Sequence, residues 1–333
     1  MRKHSFTLNF AGENFYLETD SEVINQLVSE YFSKHLSVED SYSARIEVLE
    51  KKIFSPLPSS ARLMLRYFAL KIFQSQGWSY FTDFLSYFLL EPKGKNAWGY
   101  IAPETLERHQ GRFFTGIFLS FVFFELLRHL GIYFIHCAGL VSPQGRIYLF
   151  PGGSGQGKTT LSVYLIEQGF KYLSDDTIFL RENEQELYFY GFHKPCHLPK
   201  NLFSKFPTNI RFDYEDKERG KIEIDLEALF PKSRLDCARG EVVLVFPERK
   251  DQSHSDLKPL SKNQALVRLM EQSPFFYLNP SLAKRHLEVI SRLVNSARIW
   301  AFESGPDWLQ EPAILLQLLQ RAEGGTEYES STG

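Results

Sequence analysis

The chain has 333 residues, 43% of them hydrophobic and 23% charged, with a formal net charge of −2 at neutral pH. These fractions are ordinary for a soluble globular protein. The near-balanced charge gives no long-range attraction to nucleic acid or to an anionic membrane, so neither is expected as a partner. The length suits one large domain or two smaller ones, and 30 phenylalanines predict an aromatic-rich core.

At the start, Met1-Arg2-Lys3-His4 is basic, but Asn9, Gly12, Glu13 and Asn14 prevent a long apolar run after it, so no secretory signal is expected. Residues 5–17 alternate as one or two strands around Ala11-Gly12-Glu13-Asn14. Residues 21–36 read as a helix capped by Ser21, with Val23, Leu27, Val28 and Phe32 on one face. Tyr42–Leu49 reads as a strand and Ser59–Gln74 as mixed helical and irregular. Trp78–Leu90 fits strand or helix equally. The run Phe113–Phe124 is strongly apolar but too short to span a bilayer before Glu125, Arg128 and His129, so a buried helix reaching about Leu130 is expected.

From about residue 132 the pattern turns strand-rich: Ile132–His136, Ala138–Val141 and Arg146–Phe150. A helix (Thr160–Gln168) and a strand (Lys171–Ser174) come next, then Ile178–Leu180 and Leu187–Tyr190 joined by a charged turn. Val242–Phe246 suits a buried strand. Helices are expected at Asn263–Met270, Pro280–Ala297 and Pro312–Ala322, with a last strand at Ile299–Glu303. Three domain-level segments result: residues 1–130 as an N-terminal α+β subdomain, 131–322 as the core, and 323–333 as a disordered tail. Cys137, Cys196 and Cys237 lie far apart with no metal-site spacing, which fits reduced thiols in a cytoplasmic protein.

Between Arg146–Phe150 and the helix lies the most informative stretch. Gly152, Gly157, Lys158 and Thr159 fit G-x-x-x-x-G-K-[ST], the phosphate-binding loop of nucleotide enzymes. Glycines let backbone N–H groups curl around an anion, and the helix after the loop aims its positive end at the same place. Gly152, Gly153, Ser154, Gly155, Gln156, Gly157, Lys158, Thr159 and Thr160 are therefore the expected ATP-binding residues. Lys158 would serve the terminal phosphates and the Thr159 hydroxyl would ligate Mg²⁺. A glycine-rich strand–helix turn matches the pattern too. The strand before it and the helix after it favour phosphate binding.

Asp175-Asp176 closes the strand Lys171–Ser174, seventeen positions beyond Lys158. That strand can run back so that its end lies beside the loop. Adjacent strand side chains point to opposite faces, so one carboxylate could hold Mg²⁺ while the other accepts a proton.

With these residues in view, the chain resembles the HPr kinase/phosphorylase-related kinases. The match runs through Ile135-His136-Cys137-Ala138-Gly139-Leu140-Val141, Gly145, the loop Gly152–Thr159, and Gly169 through Ser174-Asp175-Asp176, about forty residues. Weaker similarity reaches Pro195–Pro199 and Ser304–Asp307. The resemblance implies an α/β fold (α+β overall) with a P-loop core of the HPr kinase/phosphoenolpyruvate carboxykinase-like type. It also implies an ATP-dependent serine kinase acting on a serine-bearing protein or peptide, with room for a homo-oligomer. Carried over, Asp175 resembles the general base, Asp176 a metal-proximal carboxylate, and His136 the histidine near the reacting phosphate. The loop carries Gly153 where HPr kinases usually carry Asp. Their later glycine-arginine-asparagine signature is absent, so the resemblance does not extend to phosphorolysis or to HPr as substrate. A precursor peptide, a small molecule such as free serine, and a sensor that binds ATP without transfer are the remaining options.

Three weaker features remain. His193–Lys200 concentrates donors in a proline-bounded stretch and reads as a mobile surface loop more readily than as a phosphate clamp. Arg239, Arg249 and Lys250 flank the 242–246 strand, and any of them could face the transferring phosphate. Asp213–Lys221 reads as a solvated turn.

Overall fold

The computed structural model describes residues 3–53, 56–203, 214–216 and 220–324. The fold is mixed α/β, and its described strands form sheets of nine, four, six and three strands. No helix among the described residues is long and apolar enough to cross a membrane.

The nine-stranded sheet belongs to the N-terminal region. It begins with a hairpin, His4–Phe10 against Glu13–Thr19, turning through Ala11 and Gly12 at φ 53° and 83°. Alternate residues face one side. Leu8, Phe15, Leu17, Ile46, Val48, Ile72, Phe81 and Phe88 are all fully buried there. The apolar run expected as a buried helix lies across that face. Phe114–Leu119 forms a π-helical stretch and Ser120–His129 an α-helix, with Phe114, Phe118, Val122, Phe123 and Leu126 in the same core. The expected 21–36 helix is shorter. Ser21 caps Glu22–Tyr31, and the chain tightens into a 3₁₀ turn at Ser33–His35.

Two segments depart from or resolve the sequence expectation here. Ser59–Gln74 is not helical: Arg62–Tyr67 and Leu70–Ser75 pair as antiparallel strands. The apolar residues of the second strand alternate, with Leu70 and Ile72 buried, and its other neighbour is Trp78–Thr82. Trp78–Leu90 resolves into two strands, Trp78–Thr82 and Tyr87–Leu90. The turn between them is held by the Asp83 carboxylate, which accepts from the Leu85 and Ser86 amides.

The second half is built on the six-stranded sheet. Its order is Lys171–Ser174, Cys137–Val141, Ile147–Pro151, Val242–Arg249, Arg298–Ser304 and Asp256–Pro259. The last of these is an antiparallel edge strand absent from the sequence expectation. One face packs on helices Lys158–Glu167 and Pro312–Gly324 through Leu140, Phe150, Leu161, Leu165, Val243 and Leu315. The other packs on helices Lys262–Glu271 and Pro280–Ser296 through Leu149, Leu244, Leu269, Ile290 and Leu293. Sheet residues buried from both sides explain the continuous apolar runs at 147–151 and 242–246.

The N-terminal core does not stop near residue 130. Phe134, Phe179, Phe192, Phe275 and Leu278 belong to the same cluster as Phe10 and Phe123. At the other end, Glu323 and Gly324 lie inside the last helix rather than in a tail. Glu323 accepts hydrogen bonds from the Tyr148 hydroxyl and from Arg146. Residues 325–333 of the expected tail lie outside the described residues. Of the expected 213–221 turn, Tyr214–Asp216 is a strand, and 213 and 217–219 lie outside the described residues.

Candidate functional site

Strand Ile147–Pro151 is buried along its whole length and delivers the chain into the loop at Gly152. The loop ends at Gly157, and helix Lys158–Glu167 begins directly after it. Gly155 and Gly157 sit at φ 86° and 92°, a left-handed conformation that suits glycine because it lacks a Cβ. Ser154, Gly155 and Gln156 are exposed, and Thr159 and Thr160 are half-buried on the helix's first turn. The Gln156 side chain folds back, its Oε1 accepting the Gly153 N–H at 2.7 Å.

Lys158 turns its side chain back under the loop. Its Nζ donates to the Gly152 carbonyl at 2.6 Å and the Gly153 carbonyl at 3.1 Å, and it lies 3.2 Å from His136 Nε2. Burial pushes the Lys158 ammonium below its ordinary value, while Asp176 and then Asp175 work to restore it. His136 lies between strands Ile132–Ile135 and Cys137–Val141, its N–H bonded to the Gln272 carbonyl. Its Nδ1 is 3.2 Å from Asp176 Oδ1. Burial depresses the imidazole, with Asp176 opposing. A neutral ring then accepts from Lys158 at Nε2 and donates its Nδ1–H to Asp176.

The carboxylate pair divides as alternating side chains should. Asp176 faces His136. Its second oxygen takes a hydrogen bond from Lys194 Nζ at 2.5 Å. Burial alone would raise the Asp176 carboxyl, but the Lys194 ammonium, with His136 hydrogen-bonded beside it, outweighs it and holds the group well below the usual carboxylate range. Asp176 in turn keeps the Lys194 ammonium raised against the opposing effect of burial. Asp175 is only 5% exposed, with the Tyr172 hydroxyl at 3.4 Å. The Cys196 thiol, raised first by its burial, also meets Asp175. Of the expected site residues, Lys158, His136 and Asp176 form one connected chain of contacts, and Asp175 lies behind it.

The stretch expected to be a mobile loop is an ordered wall of the site. His193, Cys196 and Leu198 are buried, and Cys196–Pro199 pairs as a strand with Lys221–Ile224. Of the three flanking basic residues, Arg239 is held at the surface by Glu186 and Tyr188, Lys250 pairs with Glu248, and Arg249 lies opposite Ser304 in the sheet. The base that meets the doublet is Lys194. The N-terminal region also reaches this wall. Arg112 pairs with Glu223 at 2.9 Å, and Glu223 lies opposite His197 across the strand pair. Burial pushes the Tyr31 phenol up to about 12, and its charged neighbours are Lys194, Glu223, Asp176 and Asp175. No sequence signal marks Tyr31 or Arg112, because a helix of the first sheet delivers one and the approach to the π-helical stretch the other.

The donor set bears on a metal. Among the described residues no group of three His, Cys, Asp or Glu side chains could hold an ion. The hydroxyl of Thr159 and the carboxylate of Asp176 are hard oxygen donors. One or two protein oxygens suit Mg²⁺, which keeps its waters and binds through phosphates. Lys194 would have to share Asp176 with it.

No protein-family model matches the chain, and no curated protein matches it. Among solved structures it is similar to the Hpr(Ser) kinase/phosphatase from Coxiella burnetii, with 14% sequence identity. That similarity covers 57% of this chain and 97% of the other at a TM-score of 0.30, too loose a likeness to carry an argument.

Proposed function

We propose that this protein is an ATP-dependent kinase with a P-loop core that transfers the γ-phosphate to a serine hydroxyl of a protein or peptide. The observation that carries the reading is the contact chain from Lys158 through His136 to Asp176 at the mouth of the Gly152–Thr159 loop. In this reading the loop amides and the helix start hold the phosphates, once Gln156 releases the Gly153 N–H. Lys158 leaves the loop carbonyls for the terminal phosphates. Mg²⁺, held by Thr159 and Asp176, would neutralise charge on the β- and γ-oxygens. Asp175 takes the serine proton as the serine oxygen bonds to the γ-phosphorus and ADP departs with the electron pair. Neutral His136 keeps Lys158 and Asp176 in register. ATP and free thiols at Cys137, Cys196 and Cys237 accord with a cytoplasmic setting.

The test pairs calorimetric Mg-ATP binding with mass-spectrometric detection of phosphate on serine-containing peptides, proteins and free serine. Asp175→Asn should bind nucleotide like the parent and transfer phosphate more slowly by a factor of ~10²–10⁴, the usual contribution of a positioned base. Parental rates in that variant would remove Asp175 as base. ATP binding by the parent with no transfer to any acceptor would replace the kinase with an ATP sensor.

A further inference from the structure

Tyr31 is the last residue of helix Glu22–Tyr31. Its ring stands edge-on to the buried Phe32 at 5.0 Å, and a Cβ on Gly116 would lie 3.1 Å from its hydroxyl, so the bare glycine leaves the phenol room. Four residues before Gly116, Arg112 pairs with Glu223 at 2.9 Å. Glu223 lies directly opposite His197 in an antiparallel pair, which puts both side chains on one face. Tyr31 and His197 therefore come to one space from the two halves of the chain, and both have the same charged neighbours, Lys194, Glu223, Asp175 and Asp176. Neither the Tyr31 hydroxyl nor the His197 ring makes a hydrogen bond among the described residues, and His197 is exposed. Desolvation and then the Lys194 ammonium push the imidazole below its ordinary value, so the ring is neutral at neutral pH. The cations nearby are committed: Lys194 to Asp176, Arg112 to Glu223 and the Tyr214 ring, Lys158 to the loop carbonyls.

We infer that Tyr31 and His197 hold the main chain of the acceptor on either side of its serine, so that the serine arrives within a peptide and not as the free amino acid. The Tyr31 hydroxyl would donate to a main-chain carbonyl on one side, and a ring nitrogen of neutral His197 would accept an amide N–H on the other. Two uncharged groups that can each donate or accept suit uncharged peptide amides. The serine hydroxyl then lies toward the doublet. Free serine would instead bring a carboxylate up to Asp175, Asp176 and Glu223, with no uncommitted cation among these neighbours to receive it, and like charges in that position repel. The inference rests on the kinase reading for what becomes of the serine; the seat itself rests on Tyr31 and His197.

The probe is N-acetylserine N-methylamide, which carries one peptide amide on each side of the serine, with free serine as the comparison. Binding is followed at neutral pH, without nucleotide, by the imidazole NMR signals of histidine-labelled protein. The His197 signal is the one missing from His197→Gln. The blocked serine should move that signal, and free serine should bind about tenfold more weakly or not at all. Tyr31→Phe removes only a hydroxyl that has no partner in the protein, so it should melt like the parent. It should nevertheless bind the blocked serine about tenfold more weakly, the upper range for one hydrogen bond. An unmoved His197 signal, equal binding of free serine, or full affinity in Tyr31→Phe would overturn the inference. Phosphorus NMR with Mg-ATP then reads transfer separately. A blocked serine that binds at His197 and is not phosphorylated keeps the seat and removes the kinase reading. Phosphorylation of the blocked serine with the same KM in Tyr31→Phe keeps the kinase and removes the seat.

Discussion

Lys158 is the residue on which the site turns. Its ammonium is buried, opposed by that burial, and held by two loop carbonyls and a neutral imidazole. Removing it should leave the fold intact, because only loop carbonyls and His136 lose a partner. Lys158→Ala should nevertheless lower phosphoryl transfer by ~10²–10³, the typical cost of deleting one electrostatic stabiliser of the transition state. Thermal melting alongside a turnover assay separates the two effects, and normal turnover in the folded variant would clear Lys158 of any role. Asp176→Asn tests the metal. It removes the anion that Lys194 and His136 share, so nucleotide affinity should lose its dependence on Mg²⁺. Titration of ATP with and without Mg²⁺ shows whether it does; an unchanged difference would take Asp176 out of the metal site.

At the scale of elements, the close approach of two strands controls where the doublet sits. A Cβ on Gly191 would fall 1.9 Å from the Leu173 carbonyl oxygen, an atom of the strand that carries Ser174-Asp175-Asp176. Backbone cannot yield as a side chain can, so Gly191→Ala should cost about 3 kcal/mol or more. Gly153→Ala is the control, since nothing lies within 4 Å of its Cβ position, and its stability should stay within roughly 0.5 kcal/mol of the parent. Urea midpoints measure both. The loop, its helix and the doublet strand are legible in sequence because each is local. A motif fixes the turn, and apolar runs fix the strand and helix beside it. The hairpin Arg62–Ser75 is not, because its alternation is broken by a bulge and completed by pairing with Trp78–Thr82. Lys194 stands in a polar, proline-bounded stretch that looks like surface. The strand that follows it, Cys196–Pro199, forms only by pairing with Lys221–Ile224, a contact between segments more than twenty residues apart. Tyr31 and Arg112 reach the site only through tertiary packing, for which a sequence carries no periodic mark.

For the molecule as a whole, buried imidazoles set the acid limit. Burial, with His193 adding to it, pushes His35 down to about 3. Burial, with Arg128 adding, pushes His286 down to about 3 and His129 to about 4. Above pH ~6.5 these rings are neutral in both folded and unfolded chains and contribute no pH dependence. Below it the unfolded chain takes protons that the fold refuses, so stability falls until the folded-state values are reached, by roughly 1.4 kcal/mol per pH unit for each group. The depressed Asp176 carboxyl adds to the loss in the same direction below about 3.8. Melting temperature should therefore drop steeply between about pH 6.5 and pH 4. His286 stacks on Phe276 at 4.4 Å and on Tyr133 at 5.0 Å, so a phenyl ring would keep both stacks and give up the Nε2 hydrogen bond to the Phe134 carbonyl. His286→Phe should flatten the acid limb; an unchanged slope would acquit this ring.

Phe192 is rooted in the same apolar cluster as Phe10, and two residues later Lys194 grips Asp176. That short tether joins the N-terminal aromatic cluster to the lysine that holds Asp176. Severing the chain at the Gly131 corner would bare Phe134, Phe179, Phe192, Phe275 and Leu278 together and unseat the lysine. The C-terminal fragment should be insoluble by itself, and should recover nucleotide binding only when the N-terminal fragment is refolded with it. The protein would then behave as one heritable unit, in which domain shuffling is closed off at the very corner where the change from mixed to strand-rich pattern invites a cut.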